Sequence, residues 1–103
     1  MVNYHVELLP AAEGDLENIF DYIMLEDPFA AEKMLNNIVS SLKRLETFPN
    51  SGIRISHKAL AYYHFRMIVT EPYIAFYKVF EDTVFVYRIL HGAWDYIDFL
   101  KPD

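Results

Sequence analysis

"YYHFRMIVTEPYIAFYKVFEDTVFVYRIL", residues 62–90, carries three strand-like segments in a single run, and the second half of the fold follows from it. The segments 62–70, 73–80 and 83–90 are rich in aromatic and β-branched residues. Only Glu71-Pro72 and Glu81-Asp82 separate them, and connections that short join consecutive antiparallel strands. The spacing therefore predicts a three-stranded antiparallel meander. With side chains alternating, Arg66, Ile68 and Thr70 oppose Phe65, Met67 and Val69, while Val86, Arg88 and Leu90 oppose Phe85, Tyr87 and Ile89. If the aromatic-bearing faces meet the helices, Arg66 and Arg88 both project from the uncovered face.

Upstream, residues 3–9 alternate polar Asn3, His5 and Glu7 with Tyr4, Val6 and Leu8, the pattern of a half-buried strand that Pro10 ends. From Ala11 to Glu26, Leu16, Ile19, Phe20 and Ile23 form one apolar stripe, so the segment is an amphipathic helix whose acidic side faces solvent. Asp27-Pro28 has the chemistry of an N-cap followed by an N1 proline. The helix it opens carries Ala31, Met34, Leu35, Ile38, Leu42 and Leu45 on one side and stops at Phe48-Pro49-Asn50-Ser51-Gly52. Two helices joined so tightly form an antiparallel hairpin. Residues 53–61 read as irregular, and 93–100 as a short helix or turn. The expected architecture is a two-layer α+β domain spanning residues 1–103: an N-terminal strand, the helical hairpin, the three-stranded meander and a short C-terminal helix.

A chain of 103 residues with 53% apolar and 17% aromatic residues builds one core and is not disordered. The absence of cysteine removes disulfides, thiolate nucleophiles and thiolate metal sites. His5, His57 and His64 show no metal-ligand spacing with one another or with acidic residues, and no Walker A, GxGxxG or GxSxG motif occurs. We expect no cofactor and no metal. Neither a signal peptide nor an apolar stretch of membrane-spanning length is legible, which makes the expected location cytoplasmic. The formal charge of −6 argues against holding nucleic acid by bulk electrostatics. Residues 1–51 carry that whole imbalance, with nine acids against three Lys/Arg, whereas residues 52–103 carry six of each.

Arg88 is the residue that asks for an explanation. A guanidinium inside an apolar strand costs several kcal/mol if desolvated alone, so it must reach an acidic partner or an open surface. Paired with Arg66 on a shared face, it would make a clamp for phosphate or carboxylate. His91 stands at the strand end beside Gly92, as a titrating group at the sheet rim or an ordinary turn residue. Trp94 and Tyr96 either stack on a ligand or anchor the tail.

From about residue 3 to residue 98, the chain resembles the RelE/ParE superfamily of type II toxin–antitoxin toxins. The likeness rests on "YHVELLPAAEGDLENIFDYI", on "LKRLETFPNSG", and on "FRMIVTEPYIAFYKVFEDTVFVYRILHGAWDY" with its strand arginines and Leu-His-Gly-x-x-Asp ending. The resemblance implies a toxin of the plasmid-stabilisation type, neutralised by a small cognate antitoxin. It implies one of two activities: metal-independent, ribosome-dependent mRNA endonuclease, which inhibits translation, or DNA gyrase inhibition. A third possibility is a degenerate member acting only as antitoxin-binding partner and co-repressor. The endonuclease is the leading expectation. In it Arg66 and Arg88 would stabilise the phosphate, while His91 and Tyr96 would supply acid, base or stacking groups. Two features point the other way: Ala93-Trp94 follows His91-Gly92 where many relatives are basic, and nuclease members are usually markedly basic overall.

Overall fold

The computed structural model describes residues 3–101. Its order is β1 (His5–Leu8), α1 (Pro10–Met24), α2 (Pro28–Lys43), β2 (Ile53–Arg54), β3 (Arg66–Thr70), β4 (Tyr73–Phe80), β5 (Thr83–His91) and α3 (Tyr96–Leu100). Single 3-10 turns at Arg44–Glu46 and Ala61–Tyr63 follow α2 and precede β3. The expected meander is present: β3, β4 and β5 pair antiparallel through the two short turns. β1 pairs parallel with β5, and β2, which lies in the stretch read as irregular, pairs with β3. The five strands lie in the order β1-β5-β4-β3-β2.

Local chemistry explains the helix boundaries. Pro10 both ends the first strand and opens α1, where its missing N–H would be unbonded in any case. Asp27 caps α2 as the sequence predicts, its carboxylate accepting from the N–H groups of Phe29 and Ala30 at 3.1 and 3.2 Å. Such a cap contributes about 1 kcal/mol. The α2 stripe then buries Ala31, Ile38 and Leu42, with Leu45 continuing it into the 3-10 turn.

The helical hairpin covers one face of the sheet. There Ala12, Ile38, Leu42 and Leu45 pack against Tyr73, Ala75, Tyr77, Val84, Val86 and Ile89. The opposite face carries a second, smaller core of Ile55, Leu60, Phe65, Phe76, Leu90 and Leu100, contributed by the sheet, the segment before β3, and α3. The aromatic residues Phe65, Phe76 and Tyr87 belong to this second core, so the aromatic-bearing side of β3 turns away from the helices.

A β-bulge adjusts the phase of β5. Tyr77 pairs with Val86 and Phe76 with Arg88, which leaves Tyr87 as an extra residue. Val84 and Val86 thus face the helices before the bulge and Ile89 faces them after it. Strict alternation had placed Ile89 with Phe85 and Tyr87. The bulge puts it on the other side.

Candidate functional site

Arg88 reaches an acidic partner, the first of the two outcomes its position demands. Its Nε donates to Asp15 Oδ2 at 2.7 Å and its Nη2 to Asp15 Oδ1 at 2.8 Å, a bidentate fork. Asp15 Oδ2 also accepts from the backbone N–H of Ile89 at 2.9 Å. The last register pair between β1 and β5 is Leu8 with Val86, so Ile89 lies beyond the end of β1. Asp15, from α1, supplies the acceptor that no strand offers there. The side chains are 25% and 12% exposed, enclosed enough for the pair to be only partly screened. The hydrogen bonds that Arg88 donates to Asp15 hold the guanidinium pKa above its ordinary value, with burial working against them. The Phe99 ring of α3 lies 5.1 Å from Arg88 Cζ and covers it.

Arg66 is on the other face. It pairs across the ladder with Tyr77, which packs under the helices, whereas Arg88 pairs with Phe76 of the second core. The expectation that both guanidiniums emerge side by side on an uncovered layer is therefore corrected. Neighbours on β4 point to opposite sides, and each arginine follows its own partner. Arg66 Nη1 donates to the carbonyls of Asn50 and Gly52 at 3.2 and 2.9 Å. It staples the turn after α2, and Arg66→Ala should lower stability by about 1 kcal/mol in a urea titration.

That turn is held from below by Tyr77, whose hydroxyl accepts from Gly52 N–H and donates to Pro49 carbonyl, both at 2.8 Å. Gly52 is required by close approach: a Cβ there would meet Met67 carbonyl oxygen at 2.8 Å and collide with the Tyr77 side chain. Gly52→Ala should destabilise by about 1–3 kcal/mol, read as a lowered thermal midpoint.

His91 and Tyr96 lie on the Arg88 side of the arrangement, each engaged by neighbours of its own. His91 Nδ1 accepts from Ala93 N–H at 3.1 Å, and its ring meets Tyr73 edge-on at 5.6 Å. It lines a groove of about 710 Å³ beside α1, together with Asp15, Tyr22, Tyr73 and Trp94. Tyr96 opens α3 and stacks on Phe76 at 5.0 Å, in the second core. The cap of α3 is Asp95, which accepts from Ile97 N–H at 3.2 Å. Among the described residues, no three His, Cys, Asp or Glu side chains gather as metal ligands. No described helix is long and apolar enough to cross a membrane.

The sequence reading missed Asp15, since it treated the acidic side of α1 as solvated. A signal was present: Asp15 is three residues from Ala12 and one from Leu16, at the flank of the buried stripe, where an acid can reach the sheet.

The family model for the ParE toxin of the type II toxin–antitoxin system parDE matches residues 6–96. The chain belongs to the ParE toxin family. Among solved structures, it is similar to a chain of the chromosomal ParDE system from P. aeruginosa, at a TM-score of 0.70 and 22% identity, over 85% of this chain and 95% of that one. It is also similar to a chain of the toxin–antitoxin complex RelBE2 from Mycobacterium tuberculosis, at a TM-score of 0.64 and 19% identity, over 87% and 99%. At those identities the likeness is one of fold, and it agrees with the strand–hairpin–meander order found here. No curated protein matches the chain. In this ParE-family toxin the two strand arginines are structural ties, to Asp15 and to the turn at residues 50–52.

Proposed function

We propose that this toxin is held inactive by a small cognate antitoxin and, once released, acts by binding DNA gyrase rather than by cutting mRNA. The observation that carries this reading is the engagement of Arg88 by Asp15. Metal-free cleavage of RNA needs cations free to meet the charge that develops on the phosphate, with an acid and a base on either side. Here one arginine is already neutralised, the other lies on the opposite face, His91 Nδ1 is taken by a backbone N–H and Tyr96 is stacked on Phe76. The net charge of −6 adds repulsion toward ribosomal RNA. A protein target needs none of that chemistry. The match to the ParE model supports the gyrase branch of the superfamily.

Expression without antitoxin tests the proposal. The expected result is growth arrest with induction of the DNA-damage response and intact transcripts by primer extension. Arg66→Ala should arrest growth as wild type does, because its side chain serves a turn. Transcripts cut at defined positions, with loss of cutting in Arg66→Ala, would overturn the proposal.

A further inference from the structure

The face of the sheet turned away from the helical hairpin holds a cation that no acid answers. Lys78, on β4, lies among three rings, its Nζ 4.5 Å from the centroid of Phe65, 5.1 Å from Tyr87 and 5.5 Å from Tyr63. Among the described residues the one salt bridge is that of Asp15 with Arg88, so Lys78 has no carboxylate partner. Burial lowers its pKa, as expected of an ammonium that has lost water without gaining an anion. The ring faces attract the charge and offset part of that loss.

Lys78, Tyr63 and Tyr87 wall an open hollow of about 600 Å³, to which Tyr62, His64 and Phe80 also contribute. Among the described residues no acid lines it, although the chain as a whole carries −6. Tyr62 and Phe80 are 82% and 66% exposed at its rim, large apolar surfaces left in water. His64 is held at φ 60, a left-handed conformation uncommon for a residue other than glycine. Local strain of this kind gathers at binding sites more than elsewhere.

We propose that this hollow receives a single carboxylate side chain, flanked by apolar residues, from a segment of the cognate antitoxin. The inference rests on the antitoxin reading above. One ammonium in an aromatic cage matches one anion; a nucleic-acid track would need successive cations, and the acidic chain repels a polyanion. The ring faces and the exposed rim suit the apolar neighbours of that carboxylate. Arg88, the obvious receptor from the sequence, is already occupied by Asp15, which leaves Lys78 as the strand cation available on this face among the described residues.

Calorimetric titration of the toxin with its antitoxin provides the test. Lys78→Met keeps the stem and places sulfur among the rings, so it should fold. It is expected to weaken binding about tenfold or more, with a shallower salt dependence than wild type. Tyr62→Ala, at an exposed rim position that cannot disturb the core, should weaken it about threefold or more. Wild type that binds no antitoxin would sink the antitoxin reading itself. Wild type that binds, with both variants binding equally well, would sink this inference alone. If adenosine 5′-monophosphate shifts the Lys78 resonances while Lys78→Met keeps full antitoxin affinity, the hollow is a nucleotide site and the assignment is wrong.

Discussion

Asp15→Ala is expected to lower folding stability by about 3 kcal/mol, the largest single effect among the polar residues of this toxin. The substitution removes both arms of the fork to Arg88 and the acceptor for Ile89 N–H. Three donors lose their partner, two of them on a charged guanidinium only partly able to reach water. Asp15→Asn should cost less, because its amide oxygen can still accept from Ile89 while the ionic part of the fork is lost. Arg88→Met in the Asp15→Ala background should recover part of the stability, since the stranded charge is then gone. Urea denaturation of wild type, Asp15→Ala, Arg88→Met and the double variant gives the coupling directly. A cost below about 1 kcal/mol for Asp15→Ala would mean that the pair behaves as a screened surface contact.

Tyr77→Phe is the second large effect, expected at about 2–3 kcal/mol. The tyrosine is fully buried, and one hydroxyl satisfies a backbone donor and a backbone acceptor from the turn that ends the helical hairpin. Deleting it keeps the ring and its packing, so the cost reports the two orphaned groups. Burial raises the Tyr77 pKa, against smaller lowering by the Gly52 N–H and by Arg66. With the folded value above the unfolded 10.0, the unfolded chain loses its proton first. The hydroxyl's contribution is therefore complete at neutral pH and declines as pH rises through that range. Stability of wild type should fall more steeply above pH 10 than that of Tyr77→Phe; parallel curves would contradict this placement of the proton.

The fold was legible where one strong local rule acted. Pro10, the Asp27-Pro28 cap and the two short turns of the meander placed β1, both helices and β3 to β5 within a few residues. The sheet faces were not, for a physical reason. An apolar segment buried on both sides has no polar alternation to show which side is which, and β4 has cores on both of its faces. The bulge at Tyr87 then shifted the phase of the residues that follow. Arg88 was legible as a residue needing a partner, but not which partner, because Asp15 is 73 positions away. Lys78 drew no attention in the sequence, since a lone lysine in a strand looks like any solvated lysine until the rings around it are placed.

The most direct test of the account measures supercoiling of relaxed plasmid by DNA gyrase from the same cell, with and without the purified toxin. The expected result is that the toxin inhibits supercoiling and that the Arg66→Ala protein inhibits it as strongly. Full supercoiling in the presence of excess folded toxin, while the same preparation cuts mRNA on ribosomes, would contradict it.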